Sequence, residues 1–280
     1  MPSTDVATRN GDSTETFELP PGKHRLAGMA LRNGVLVIGP TKWAAAVRDD
    51  KGRIHSVSKD RPTLGPAVDR FPALRGPIRL GEMLMILPAL RTALPQARLA
   101  IESPSIIGTT AAGSLLQRGL RRRFGKSPIS ELASGAGSLA LLLAALRGGE
   151  LSQYHGAEHK VIGGYERDMP AVDVPKEHDR CGTQLAVPML LTNAAALEGT
   201  RMLLPGNARL ARVIGMGVGV AAATEFARAT QRNQDHWSAR AAARIGTGLQ
   251  SVASTREPSA DQLEVAQRAL DTLLAAEDAA

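Results

Sequence analysis

The placement of proline and glycine constrains the fold of this chain more than any other feature of its sequence. Because proline removes a backbone donor and is unfavourable inside a helix, prolines often mark helix boundaries. Five of them, with glycines nearby, divide the later part of the chain into segments of helical length: Pro104, Pro128, Pro170, Pro175 and Pro205. This pattern predicts several separate helices.

The residues before that region have the short apolar runs that are typical of strands. Candidate strands are 35–38, 43–48 and 53–58. A polar turn, 49–52, separates the last two and ends in glycine, which supplies the positive φ that such turns need. The combined pattern predicts an α+β fold, with a small N-terminal antiparallel β region followed by a mainly α-helical bundle.

The same patterns give the expected segment bounds. Residues 1–22 are polar and lack periodicity, which predicts a disordered tail. Ser259 and Gln262 have the spacing of a capping box in front of an apolar stripe. We therefore expect three further segments: a β-hairpin region at 23–60, a helical bundle at 61–258 and a C-terminal amphipathic helix at 259–280.

The first helix after the strands is predicted from the spacing of its leucines. Leu80, Leu84, Leu87 and then Leu90 or Leu94 recur at intervals of three and four residues, as apolar residues do on one face of a helix. Glu82 lies off this stripe. We expect the leucines to form one apolar face.

The chain carries a basic excess. Lysine and arginine number 34 against 27 aspartate and glutamate residues, which gives a net charge of +7. Such an excess suits nucleic acid and an anionic membrane surface equally. The densest basic run, 118–126, has one aromatic residue and no recognition motif. We therefore do not expect nucleic acid as a partner.

Cysteine usage indicates the compartment. The chain has one cysteine, Cys181, so it cannot form an internal disulfide. The first residues lack the basic-then-apolar order of a signal peptide. Both features predict a reducing setting that faces the cytoplasm.

Whether the helices enter a membrane is open from composition. The most apolar stretches are 132–146, 182–197 and 213–224, and all three are bounded by charges and shorter than the roughly 20 residues of a spanning helix. Short, bounded runs are typical of buried helices in a soluble bundle. Their many small residues are equally typical of closely packed helices in a bilayer.

Two of the six histidines form a motif. His155 and His159 are four residues apart, which brings two imidazoles to one face of a helix. Glu158 completes the pattern H-x-x-E-H, in which the carboxylate acts as a base beside a metal ion. The spacing predicts a site for a divalent metal, with zinc as the expected ion, that can support hydrolysis.

Further donor side chains follow the motif. Glu166 comes seven residues after His159. A catalytic zinc site needs three protein ligands and an open fourth position. The third ligand has three alternatives: His178, Cys181 and Glu225.

The sequence blocks that contain these residues resemble the bacterial family known as domain of unknown function 1385. The blocks are YHGAEHKVIGGYE at 154–166, HDRCGT at 178–183 and LQSVASTREPSADQLEVAQRAL at 249–270. The resemblance extends from about residue 28 to the C-terminus. It implies a metal-dependent enzyme of a kind that is commonly embedded in the membrane.

The resemblance carries a candidate site over to this chain. Glu158 is the implied catalytic residue. The implied metal ligands are His155, His159, His178 and Cys181. Supporting roles fall to Tyr154, Glu166, Arg180, Glu82 and Glu225.

Three positions depart from the family pattern in the N-terminal block. Met29 and Asn33 stand where the family has a glutamine and a glutamate, and Ile38 replaces an arginine. If those polar groups belong to the site, activity in this chain is altered or lost.

Two functional hypotheses follow. The first is a metal-dependent, hydrolase-like protein of unknown substrate at the cell membrane, with its site facing the cytoplasm and membrane lipids as partners. The alternative is a non-catalytic membrane scaffold with a closed structural zinc site. For the location, the alternative to the membrane is the cytoplasm.

Overall fold

The N-terminal part of the chain forms a four-stranded antiparallel sheet. The computed structural model describes residues 19–125, 127–147, 149–178 and 181–279. The sheet has the order β1-β2-β3-β4, and the turn between its last two strands contains Gly52 at φ 79°. Its strands are β1 Ala27–Leu31, β2 Gly34–Ile38, β3 Lys42–Arg48 and β4 Ile54–Asp60.

The N-terminal prediction differs from the structure at strand β1, and its tail lies mostly outside the described residues. The pattern missed β1, whose glycine and alanine residues give little strand signal but which pairs with β2 along its whole length. The predicted tail at 1–22 falls mostly on residues 1–18, which lie outside the described residues.

The rest of the described chain is mainly helical, which confirms the α+β class. Pro104 and Pro128 are the first residues of α2 and α3, where a missing N–H costs nothing. Pro170 and Pro205 follow the ends of α4 and α5. The helices are α1 Pro72–Ala93, α2 Pro104–Phe124, α3 Pro128–Leu146, α4 Glu150–Arg167, α5 Ala186–Leu203, α6 Ala208–Arg232, α7 Trp237–Leu249 and α8 Ala260–Asp278.

Helices cover both faces of the sheet. Because side chains alternate along a strand, Val35 and Val37 of β2 face one way and Leu36 faces the other. The two valines pack against α4 and α8 in one core. Leu36 packs with Ile86 and Leu90 of α1 in a second core. Helices α4 and α8 thus lie side by side on one face of the sheet.

The C-terminal helix α8 begins with the predicted capping box. Ser259 Oγ accepts from the N–H of Gln262, and Gln262 Oε1 accepts from the N–H of Ser259. Leu270 and Leu273 of the same helix are buried against the sheet. Local sequence was therefore sufficient to predict this element.

The leucine face predicted for α1 is wrong in its first half and correct in its second. Leu80 and Leu84 are exposed, whereas Leu90 and Leu94 are buried. Glu82, which was placed off the stripe, is also buried. Glu82 tolerates burial because its carboxylate accepts from Arg79 and from the N–H of Leu64. An apolar stripe thus points outward from this helix.

Helices α2, α3, α5 and α6 form a layer beside the sheet domain. In this layer α2 packs on α3, α3 on α5 and α5 on α6, while α1 also contacts α6. The three apolar stretches of the sequence lie mainly in α3, α5 and α6, so they pack together in this layer. Gly219 of α6 allows close approach, because a Cβ there would lie 2.8 Å from the Cα of Asn193.

The basic run lies mostly in a helix over its described part. Residues 118–124 form the last turns of α2. Arg121 extends to α3 and makes a two-pronged ion pair with the buried Glu131. The run therefore contributes to packing between helices as well as to surface charge.

Much of the apolar surface of this layer faces outward. Leu203 is 80% exposed, Ile129 is 79% exposed and Val213 is 69% exposed. Two helices, 129–146 and 208–232, are long and apolar enough to cross a membrane by length and composition alone. One or two such helices are weak evidence for membrane insertion.

Candidate metal centre

Helix α4 carries both histidines of the motif and is buried along most of its length. A glycine in the motif, Gly156, faces the backbone of Arg256. A Cβ at this position would collide with the Arg256 carbonyl oxygen, so only glycine lets α4 approach this segment closely. The glycine that weakens the helix in isolation is therefore required by the packing around it.

The two imidazoles lie side by side, as predicted. The ring centroids of His155 and His159 are 4.4 Å apart. His155 Nδ1 is 2.8 Å from the carbonyl oxygen of Ser254, and His159 Nδ1 is 2.6 Å from that of Lys176. Because a carbonyl oxygen only accepts, each Nδ1 carries the hydrogen and each Nε2 keeps a free lone pair.

The thiol of Cys181 lies beside the two histidines of α4. Its Sγ lies 3.3 Å from His155 Nε2, and one ligand atom each from His155, His159 and Cys181 lie within 4.8 Å of one another. The hydroxyl of Thr183 donates to Sγ at 3.3 Å. Three atoms of the types that bind a soft or borderline metal are thus gathered at one point.

Glu158 lies beneath strand β1, next to the histidines. Its Oε2 is 3.9 Å from His155 Nε2. A Cβ at Gly28 of β1 would collide with the Glu158 carboxylate, so this position of the strand leaves the space that the carboxylate occupies. Burial raises the pKa of Glu158, against the opposing charges of His155 and His178.

His159 is almost fully buried. Burial lowers the pKa of His159, while its contact with Cys181 acts in the opposite direction. The neutral imidazole is the form that binds a metal. The environment of His159 therefore favours the ligand form of the side chain.

His178 is close to the pair but oriented differently. Its ring centroid is 5.5 Å from that of His159. Its Nε2 lies 3.5 Å from Glu166 Oε2, while Glu166 Oε1 accepts from the N–H of Leu26. The backbone of His178 is held by Gln250. The structure thus brings His178 and Glu166 to the edge of the centre as a pair.

The other predicted site residues have different surroundings. Glu225 of α6 is held through both oxygens by Arg75, so it is not grouped with the three donor atoms. Glu82 is paired with Arg79 in α1. Tyr154 packs in the core between α4 and α8, where burial raises its pKa. Arg180 lies outside the described residues.

Of the three residues that depart from the family pattern, two pack in an apolar core and one makes hydrogen bonds to the backbone. Met29 and Ile38 pack in the core between the sheet and α1, on the face of the sheet away from α4. Asn33 bonds to the carbonyl oxygens of Arg48 and Gln96 and accepts from the N–H of Arg98. Asn33 therefore fastens a turn of the sheet to the segment after α1.

Four residues of the centre were missed from sequence. Two of them, Ser254 and Lys176, act through carbonyl oxygens, which every residue has, so their type carries no signal. Thr183 and Gln250 act through side chains. Both lie inside the sequence blocks of the resemblance, which was the available hint.

A small cavity borders the centre at Cys181. Its volume is about 60 Å³, which is room for about two water molecules. Its walls are mainly apolar, with two glutamine amides and one threonine hydroxyl among them. The residues that line it include Cys181, Gln184, Leu185, Phe226, Thr230 and Gln231.

Comparison with known proteins gives one match. Residues 149–276 match the family described as "Protein of unknown function (DUF1385)". No curated protein and no solved structure gives a significant match. The matched segment includes α4, Cys181, the Gln250 segment and nearly all of α8, which together make up the centre and its supports. This segment, residues 149–276, is thus similar to the DUF1385 family.

Proposed function

We propose that this chain binds one zinc ion through His155, His159 and Cys181, and that the resulting centre hydrolyses a substrate that is still to be identified. The observation that carries the proposal is the convergence of two imidazoles and one thiol within 4.8 Å. Zinc accepts nitrogen and thiolate ligands together. Both imidazoles are held by carbonyl oxygens in the orientation that a metal ligand needs.

The ligand count favours a catalytic centre. Among the described residues three donor side chains converge, and a site with three protein ligands leaves a fourth position open, which is the arrangement of catalytic rather than structural zinc sites. His178 is the closest candidate for a fourth ligand, but its Nε2 is directed at Glu166. Closing the site through Nε2 would require this atom to leave Glu166.

A bound zinc ion supplies Lewis acidity to an oxygen of water or substrate. The chain itself supplies the proton transfers. Glu158 lies next to the ligands with Oε2 3.9 Å from His155 Nε2. In the proposed hydrolysis Glu158 takes a proton from the attacking water and passes it to the leaving group, while the water oxygen bonds to the substrate.

The cavity beside Cys181 supports access to the centre. It borders a ligand and is large enough for water. Its apolar walls, contributed by α5 and α6, favour an apolar group next to the bond that is broken.

Metal content tests the first part of this proposal. We expect one zinc per chain in the wild type and a large loss in His159→Ala and Cys181→Ser, measured by elemental analysis after dialysis. His24→Ala is the matched control, because His24 is exposed and outside the cluster. A wild-type chain without zinc, or variants that retain it fully, would overturn the metal assignment.

Substitution of Glu158 tests the hydrolytic part against the structural alternative. Glu158→Gln should retain zinc and lose turnover in a screen of hydrolase substrates, because the residue is not a ligand. A closed structural site predicts instead that His155→Ala and Cys181→Ala unfold the chain equally. Full turnover in Glu158→Gln would exclude this residue as the base.

We also propose that the helical layer associates with the cell membrane and that the centre faces the cytoplasm. The large exposed apolar side chains of α3, α5 and α6 support the first part. The cytoplasmic orientation is supported by Cys181, because this proposed ligand is a free thiol. Free thiols persist in a reducing compartment. Membrane lipids are then the partners of the layer.

A further inference from the structure

The segment after α7 makes a wide turn beside the centre. Residues Gln250–Ser254 form a π-helix, closed by a bond from the N–H of Thr255 to the carbonyl oxygen of Gln250. The hydroxyl of Thr255 donates to the same oxygen at 2.9 Å. Single π turns are uncommon and occur often at functional sites.

The first residue of this turn is a fully buried amide. Gln250 is 0% exposed, which is unusual for glutamine. Its Oε1 accepts from the N–H of His178 at 2.8 Å, and its Nε2 donates to the carbonyl oxygen of His178 at 3.1 Å. One side chain therefore replaces both partners that a neighbouring strand would give to this backbone.

The last residue of the turn contacts a proposed ligand. The carbonyl oxygen of Ser254 lies 2.8 Å from His155 Nδ1. Two residues later the N–H of Arg256 donates to the carbonyl oxygen of Ser152 in α4. The π turn is thus fastened to the helix that carries both histidines.

The backbone that Gln250 holds belongs to the loop that completes the centre. The carbonyl oxygen of Lys176 orients His159, and Cys181 supplies the thiol. The carbonyl oxygen of His178 accepts from Gln250 Nε2 and also from the N–H of Cys181 at 3.2 Å. Gln250 and Cys181 are therefore linked through one shared acceptor.

We propose that Gln250 is a positioning residue of the metal centre, which sets the place of the Cys181 thiol relative to the two histidines. This inference rests on the proposed zinc site. One end of the π turn fixes the loop of Cys181, and the other end orients His155. A change at Gln250 therefore alters the distance between the thiolate and the imidazoles while leaving all three ligands present.

Cobalt titration tests the role of Gln250. Co²⁺ replaces zinc in such sites, and its visible spectrum reports the coordination geometry. We expect Gln250→Met, which has similar length and no amide, to bind Co²⁺ about 10- to 100-fold more weakly than wild type, with a changed spectrum. Gln262→Met is the matched control, because Gln262 is also a buried amide but caps α8.

Each outcome separates the two proposals. A wild-type chain that binds no Co²⁺ refutes the zinc site itself. Tight wild-type binding with an unchanged affinity and spectrum in Gln250→Met refutes the positioning role alone. If Gln250→Met does not fold, Gln250→Asn, whose amide is one methylene shorter, is measured in its place. The role then requires weaker binding and a changed spectrum in that variant, and wild-type values refute it.

Discussion

Two glycines determine how closely neighbouring backbone approaches the centre. Gly156 lets α4 pack on the backbone of Arg256, and Gly28 leaves room for the carboxylate of Glu158. Neither position has a positive φ, so the requirement comes from space and not from backbone conformation. At both positions a single methyl group has no room.

We expect Gly28→Ala to destabilise the chain by about 1–3 kcal/mol, because the methyl group overpacks against Glu158. The same substitution at Gly81, which has open space around its Cβ position, is the control and should be neutral or stabilising. Urea unfolding of both variants measures the difference. Equal stability of the two variants would show that the carboxylate can move aside freely.

Glu82 gives a prediction of pH dependence. Burial raises its pKa, but bonds from Leu64 and Arg79 outweigh burial and leave the pKa of Glu82 below its ordinary value. A carboxyl group with a lowered folded pKa stabilises the fold above its unfolded pKa, and this contribution is lost as the pH falls through the folded value.

Glu82→Gln should therefore lower the free energy of unfolding by about 1–3 kcal/mol at pH 7. The difference in the free energy of unfolding between Glu82→Gln and wild type should shrink as the pH falls from about 5 towards 3. Denaturant unfolding of both chains across this range measures the gap. A gap that is constant with pH would contradict the assignment.

Sequence reasoning succeeded for residues whose side chain alone defines their chemistry. His155, His159 and Cys181 were all named, and they converge. Glu225 was a candidate because a carboxylate can bind zinc, but Arg75 occupies both of its oxygens. Arg75 and Glu225 lie on two different helices and are 150 positions apart in the sequence, so no local sequence pattern could reveal their pairing.

At the scale of elements, prediction worked where local chemistry sets the boundary. The prolines at the starts of α2 and α3 and the capping box of α8 are examples. The first half of the predicted face of α1 is wrong, because Glu82 is buried there. Its charge is paired with Arg79 and its carboxylate accepts from the N–H of Leu64, whereas spacing alone assigns this glutamate to solvent. The weak strand β1 was missed because it depends on its partner β2.

Removal of the cap of α8 should weaken that helix specifically. Ser259→Ala loses the bond to the N–H of Gln262 and should cost about 1 kcal/mol. Because α8 packs on the sheet, the loss should be seen in global unfolding. Ser251→Ala, at an exposed serine, is the control. Equal effects of the two substitutions would show that the cap contributes nothing.

For the whole molecule, the arrangement of a sheet domain beside an apolar helical layer gives a prediction about membranes. Val213 is in the layer, and Val172 is an equally exposed valine outside it. An aspartate in a membrane helix costs up to about 3 kcal/mol, with the full cost at the helix centre and less towards its ends, where Val213 lies. We expect wild type to float with lipid vesicles, Val213→Asp to do so less, and Val172→Asp to match wild type. Flotation that is absent in wild type would contradict membrane association.

The most direct measurement of the central claim is X-ray absorption spectroscopy of the zinc-loaded chain. The account predicts one sulfur neighbour at about 2.3 Å and three nitrogen or oxygen neighbours at about 2.0–2.1 Å, two of them with the scattering pattern of imidazole. In Cys181→Ser the sulfur neighbour should vanish. A zinc shell without sulfur in the wild type, or with three imidazoles and no open position, would contradict a centre built from His155, His159 and Cys181.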